Sequence, residues 1–337
     1  MRIEENFSLI NYNTFGLDVS AAWFVEYTTE EELMRILNDE FFIEQTKLHI
    51  GKGSNLLFLD NYEGIILHSA IAGIEVKAET DTDVTLRVGA GVDWDDLVAY
   101  AVEHNWWGIE NLSLIPGETG SAALQNIGAY GCEVKDVIVE VEALSTKDKQ
   151  KHIFSNEACD YAYRSSKFKK EEQGKYIITY VTIKLSKVAH PQLGYGALER
   201  TMQTYDGITL ANIRDAVISI RNSKLPDPKV QGNAGSFFMN PTVDKAKFLK
   251  LQAQYPEMPY YEVSDDRYKI PAAWLIDTCE LKGVRIGNAA VHIDQPLVLI
   301  NLGGATGTEI ALLAEAVRST VNEKFEIMLE PEVNYIG

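Results

Sequence analysis

Gly51-Lys52-Gly53-Ser54-Asn55 sits between two short apolar runs, Lys47–Ile50 and Leu56–Leu59. Glycines bracketing a lysine at the end of a strand invite comparison with nucleotide-holding turns. The dinucleotide fingerprint needs a third glycine three residues after the second, with a helix behind it. Here that position is Leu56 and the residues after it read as strand. The phosphate loop closes on Gly-Lys-Ser/Thr, and this run does not. A doubly wound dinucleotide fold is therefore set aside. What survives is a nest, in which Gly51, Gly53 and Ser54 turn successive backbone N–H groups toward an anion. A plain hairpin turn reads equally well from the same five residues.

Around this turn lies a chain of 337 residues, long enough for two or three domains. Its 46% hydrophobic and 24% charged residues are ordinary for a soluble globular protein. A formal net charge of -18 argues against a nucleic-acid partner. It also requires any anionic ligand to be met by locally gathered Arg and Lys. No apolar run approaches the ~20 residues of a membrane span. The start, Met1-Arg2-Ile3-Glu4-Glu5, has no apolar signal region. Cys132, Cys159 and Cys279 are odd in number and lack ligand spacing, and the six histidines are scattered. Reduced thiols, no bound metal and a cytoplasmic location are expected.

Strands are expected at Ala22–Tyr27, Val84–Val88, Val137–Leu144, Tyr176–Leu185, Pro296–Asn301 and Glu326–Leu329, besides the two runs flanking Gly51. Thr29 and Asp93 cap helices whose first turns are acidic; the second runs over Trp94–Glu103. Further helices are expected near Thr209–Arg221, Asp244–Gln254, Ala272–Leu281 and Glu309–Lys324. This mixture of helices and strands reads as α+β or α/β layers.

Four stretches carry candidate chemistry. Leu114–Gly131 is glycine-dense yet apolar, which favours contact with a flat or phosphorylated ligand over an ordinary exposed loop. Arg164 stands among Tyr161, Tyr163, Ser165 and Ser166, as a clamp for a carboxylate or phosphate or as a surface cation on an aromatic. His190–Gly196 is a loop with Tyr195 at its tip. Gly232-Asn233-Ala234-Gly235-Ser236-Phe237-Phe238 places a lone hydroxyl where a tight turn enters a core, as a buried plug or a functional group. Arg221 and Lys224, at the end of the preceding helix, complement its dipole. The nucleophile elbow of hydrolases is excluded, since no glycine lies two residues after Ser236.

In this order the segments resemble UDP-N-acetylenolpyruvoylglucosamine reductases, flavoenzymes of peptidoglycan precursor synthesis. The resemblance runs from Asn13-Thr14-Phe15-Gly16 through Ile115-Pro116-Gly117, Gln125–Gly131, Tyr163–Ser166 and Lys224–Pro228 to Glu330-Pro331-Glu332-Val333. The Tyr195 loop resembles the tyrosine-bearing insertion of the longer subtype. Ala123 departs from a pattern that often has a proline there, and Ala122 stands where some members carry a hydroxyl.

The resemblance implies an α+β fold: a two-subdomain FAD-binding region of the vanillyl-alcohol-oxidase (PCMH) type and a separate α/β substrate-binding domain. The implied borders are residues 1–68 joined by 326–337, then 69–213, then 214–325. FAD would be held by Gly51, Lys52, Gly53, Ser54, Asn55, Pro116, Gly117, Gly120, Ser121, Asn126, Gly128, Ala129 and Tyr130. The substrate, UDP-N-acetylglucosamine enolpyruvate, would meet Tyr163, Tyr195, Lys224, Asn240 and Gln295. Ser236 matches the proton donor, and Arg164 and Glu332 match the pair acting on the substrate carboxylate. NADPH would be the hydride donor and the protein a monomer. A flavin oxidase of the same fold and a nucleotide-sugar-binding regulator are the alternatives; the regulator would be expected to lack one of Ser236, Arg164 or Glu332.

Overall fold

The computed structural model describes all 337 residues and divides into two compact units. The first comprises residues 1–7, 21–52 and 63–223; the second comprises 8–20, 53–62 and 224–337. The chain thus passes from one unit to the other inside the Gly51–Asn55 turn, between Lys52 and Gly53.

The first unit holds two sheets. One is four-stranded, in the order Arg2–Ser8, Ser20–Tyr27, Tyr62–Ser69, Lys47–Ile50. Its last pair is parallel, with Ile50 opposite His68. The other is a five-stranded antiparallel sheet ordered Lys151–Ser155, Ile138–Ser145, Tyr176–Ser186, Asp83–Gly89, Ile74–Glu79. Helix Trp94–Glu103 buries Trp94, Leu97, Val98 and Ala101 in the core that this sheet shares with Leu86, Val88, Val141 and Ile183. Its start is fixed as the sequence indicates: the Asp93 carboxylate accepts from the N–H groups of Asp95 and Asp96.

In the second unit, Asn233–Ser236, Val298–Asn301, Ala289–Val291 and Arg285–Ile286 form an antiparallel sheet in that order. A smaller sheet joins Thr242–Asp244, Arg267–Lys269 and Tyr261–Ser264. The long helix Gly307–Phe325 opens on a Thr306–Glu309 capping box and buries Ile310, Leu313, Ala314 and Val317, the face expected of it.

Several expectations are corrected. Residues 326–329 are not a strand: Glu326 ends the preceding helix in the left-handed region, and pairing resumes with an isolated bridge at Pro331 and then in strand Asn334–Ile336, parallel to Leu56–Phe58. The helix from Ala272 stops at Thr278, because Glu280 adopts a positive φ of 57°. Strand Tyr62–Ser69 is buried from Gly64 onward, so the alternation that marks a one-faced strand is absent. Strand Arg2–Ser8 has no buried residue and leaves no pattern at all. Within Leu114–Gly131, Thr119–Gln125 is a helix rather than loop. Ala122 and Ala123, the departures from the family pattern, are buried within that helix, where Ala is the best helix former.

Candidate flavin and substrate site

The first unit brings Arg164 and Tyr163 to Gly128. Tyr163 and Arg164 form the tip of a tight turn closed by reciprocal backbone hydrogen bonds between Ala162 and Ser165, each 3.0 Å. Arg164 takes a left-handed φ of 54°, which is uncommon for a side-chain-bearing residue. Its guanidinium lies 5.2 Å from the Tyr163 ring centre, and Nη2 donates to the Gly128 carbonyl at 2.5 Å. A Cβ on Gly128 would stand 2.8 Å from Arg164 Nη1, so glycine is required for this approach. The cation–π reading of Arg164 is thus met by Tyr163, while the guanidinium is held on the Gly128 carbonyl.

Asn126 and Asn111 brace this region. Asn126 is fully buried in the left-handed region; its Nδ2 donates to the Ala162 carbonyl at 2.9 Å and its Oδ1 accepts from Lys135 N at 3.1 Å. Asn111 Nδ2 donates to the carbonyls of Tyr130 (3.0 Å) and Gln192 (2.8 Å), tying the glycine-dense segment to the Tyr195 loop. The Tyr195 ring is exposed and meets Tyr130 edge-on, 5.5 Å between centres. Ser121 closes the first turn of its helix: its Oγ donates to the Glu118 carbonyl (2.8 Å) and accepts from Glu118 N (3.1 Å). Lys52 pairs with Asp93.

In sequence, Arg221 is a helix-end cation on a cationic segment that runs into the Ser236 turn. Its Nε donates to the Leu114 carbonyl at 3.1 Å, and Leu114 N in turn donates to Asp95, which holds Arg214. Burial presses the Arg221 guanidinium below its usual value, against the opposing pull of Tyr130 and Asp95 and with the help of the like charge on Arg164. Arg221 thus stands within the electrostatic reach of both Tyr130 and Arg164. Spacing on one helix could not have revealed this, because the partner loop is more than a hundred residues away.

The second unit brings together Ser236, Asn55 and Glu332. Gly232 approaches Phe15 so closely that a Cβ would lie 2.0 Å from the Phe15 carbonyl oxygen. The buried Asn233 clamps the turn: its N–H donates to the Thr14 carbonyl, Nδ2 to those of Pro226 and Gln231, and Oδ1 accepts from Gly235 N. Gly235, at a φ of 68°, turns the chain into Ser236. Phe237 and Phe238 are buried, as expected. Ser236 itself is exposed, which corrects the expectation of a buried hydroxyl. The apolar pair anchors the turn, and the side chain one residue earlier on the strand points the opposite way. Glu332 N donates to the Phe237 carbonyl at 2.8 Å, and Phe238 bridges to Pro331. Asn55 Nδ2 donates to the Glu332 carbonyl at 3.0 Å, and its own carbonyl accepts from Asn334 N at 3.0 Å.

Other expected residues have structural work here. Asn240 Oδ1 accepts from Ala272 N at 2.9 Å and so holds the start of helix Ala272–Thr278. Gln295 lies in a turn in which its N–H donates to His292 Nδ1 and its carbonyl accepts from Val298 N. Lys224, the last residue of helix Leu210–Lys224, is exposed.

The turn that opens at Gly51 fits a phosphate-bearing cofactor by one further observation. Thr14 donates its N–H to the Gly53 carbonyl at 3.3 Å, yet its buried Oγ1 has no hydrogen-bond partner within the protein. A buried polar atom left unpaired beside such a turn is what a bound polar group would satisfy. No group of three or more His, Cys, Asp or Glu side chains is placed to hold a metal ion, and no helix is long and apolar enough to cross a membrane.

Sequence and fold define a flavoprotein: residues 21–153 match the FAD binding domain family, within a mixed helix-and-sheet fold that carries a separate C-terminal domain. Residues 227–336 match the C-terminal domain of UDP-N-acetylenolpyruvoylglucosamine reductase. A Bacteroides fragilis protein of that name is 54% identical over 334 residues, 99% of this chain and all of that protein. One from Porphyromonas gingivalis is 48% identical over the whole of both chains. The crystal structure of the Thermus caldophilus reductase superposes with a TM-score of 0.71 at 25% identity, covering both chains in full. The chain belongs to the UDP-N-acetylenolpyruvoylglucosamine reductase family, and it is an oxidoreductase that uses FAD.

Proposed function

We propose that the protein reduces UDP-N-acetylglucosamine enolpyruvate to UDP-N-acetylmuramate, with NADPH as hydride donor and FAD as mediator. The reaction would serve peptidoglycan precursor synthesis in the cytoplasm, and the protein would act as a monomer. The observation that carries this reading is the return of the chain terminus onto the Ser236 turn. Glu332, from the far end of the sequence, is fastened by its backbone to Phe237, the residue after the exposed Ser236.

When bound, FAD supplies the hydride that reaches the enolpyruvyl CH2 carbon. Negative charge then develops at the neighbouring carbon and spreads into the carboxylate. Arg164, held by Gly128, is the donor we assign to that carboxylate, since a cation fixed in advance stabilises charge as it forms. Ser236 delivers the proton to carbon. A hydroxyl is a weak acid, but a carbanion of this kind is a strong base, and placement within hydrogen-bond reach suffices. Glu332 acts with Arg164 on the carboxylate, as a protonated donor or as an orienting group. Tyr195 and Lys224 serve the diphosphate, Tyr163, Asn240 and Gln295 the rest of the nucleotide sugar, and Gly51–Asn55 with Pro116–Tyr130 the cofactor. The borders 1–68, 69–213 and 214–325 remain our division of these roles.

NADPH oxidation by the purified holoprotein, followed at 340 nm, tests the reading. It should require the enolpyruvyl nucleotide. Equal consumption in its absence, with oxygen as acceptor, would indicate an oxidase instead.

A further inference from the structure

His68 lies between two carboxylates: Nδ1 is 3.0 Å from Glu26 Oε2 and Nε2 is 2.9 Å from Glu118 Oε1. A neutral imidazole has one N–H and one lone pair, so it can donate to only one of them. Holding both requires an additional proton, on the ring or shared with a carboxyl. The side chain of Glu118 is buried, and its second oxygen, Oε2, stands 3.0 Å from where a Cβ on Gly51 would be. His68 is also directly across the parallel strand pair from Ile50, the residue before Gly51.

A carboxylate at the mouth of an anion-holding turn is electrostatically wrong unless something offsets it. We propose that His68 is a positioning residue of the cofactor site: doubly hydrogen-bonded, it fixes Glu118 against Gly51 and cancels the charge that Glu118 would otherwise present to the FAD diphosphate. This rests on the reading that the Gly51–Asn55 turn holds that diphosphate.

The surroundings support it. Burial alone would push His68 down, but the hydrogen bonds and charges of Glu118 and Glu26 outweigh it and hold the imidazole above its ordinary value. The Phe24 ring stacks on it at 6.0 Å, with the Arg2 guanidinium over that ring's vicinity at 5.7 Å. His49, on the neighbouring strand, is pushed down to about 3 by burial and the charge on His68, and it bonds the Tyr27 hydroxyl at 2.7 Å. It is therefore neutral where His68 titrates. Lys52, next to Gly51, is already paired with Asp93. A raised value means the offsetting proton is fully present below about pH 6.5 and is lost as pH rises through the folded value. FAD affinity should follow that loss.

Equilibrium dialysis of the full-length holoprotein between pH 6 and pH 9, read by retained FAD absorbance, tests this without any turnover. Wild type should bind FAD about tenfold more weakly at the alkaline end, the scale of one charge at such range. Glu118→Gln, which keeps the Ser121 cap, should give an affinity independent of pH and match the tight limb of wild type. His68→Gln should be weak already at pH 6 and flat. A flat wild-type profile, or a Glu118→Gln profile parallel to wild type, overturns the proposal. Ser54→Glu separates the two readings. If it weakens FAD binding tenfold or more, a failure of the other variants falls on His68 alone. If it changes nothing, the diphosphate is held elsewhere, and the proposal falls with the turn.

Discussion

Glu332 donates its backbone N–H to the carbonyl of Phe237 at 2.8 Å, so the last residues of the chain are built into the turn that carries Ser236. Ninety-six residues separate Ser236 from Glu332 in sequence, but little more than this one backbone pairing separates them in the second unit. The pairing fixes the backbone of Glu332 beside the residue that follows Ser236.

Gly128→Ala should release Arg164. The new methyl would stand 2.8 Å from Nη1 and 2.9 Å from the Cys132 carbonyl oxygen, so the guanidinium, at the free end of its side chain, is the group that shifts. We expect kcat to fall by two orders of magnitude, about 3 kcal/mol, the scale of a lost transition-state donor. A steady-state assay giving a loss below threefold would detach Arg164 from the chemistry.

Asn126→Ala should be a stability variant. It removes two partly buried hydrogen bonds and leaves an alanine at a φ of 48°. The expected cost is about 2–4 kcal/mol, measured as a shift in urea midpoint of the holoprotein. A cost below about 0.5 kcal/mol would contradict the bracing role.

His49 makes stability pH-dependent on the acid side. Its folded value, pushed down to about 3, lies below the unfolded value of about 6.5. Between these limits the unfolded chain binds the extra proton, so stability falls as pH drops, by at most about 1.4 kcal/mol per pH unit. His49→Gln should flatten this slope between pH 6.5 and pH 4 in denaturant titrations, and an unchanged slope would assign the loss to other groups.

Tyr195→Phe should raise KM for the nucleotide more than it lowers kcat, because the edge-on contact with Tyr130 keeps the ring in place while the hydroxyl is lost. The reverse pattern would remove the Tyr195 loop from substrate binding.

Much of this architecture was legible where local signals are strong. Helix Trp94–Glu103 was readable because Asp93 is a good cap and the apolar face repeats. Helix Thr119–Gln125 was not, because its cap is Glu118 and its first turn contains Gly120, so packing rather than propensity forms it. Arg164, Glu332 and Ser236 stood out as residues that match a family pattern. The arrangement around them did not, since Gly128, Asn126 and Asn55 act through backbone carbonyls that carry no sequence signature. Glu118 and His68 escaped notice for a related reason: each looks like an ordinary surface residue until the fold brings the start of helix Thr119–Gln125 against the end of strand Tyr62–Ser69.

The role of Ser236 is tested most directly by the two half-reactions of Ser236→Ala in stopped flow, with flavin absorbance as the signal. Reduction by NADPH should proceed within about twofold of wild type, because no proton reaches carbon in that step. Reoxidation by UDP-N-acetylglucosamine enolpyruvate should slow by about 10²–10⁴-fold, the range spanned by positioned proton donors. Equal slowing of both half-reactions, or reoxidation at the wild-type rate, would contradict the assignment of Ser236 as proton donor.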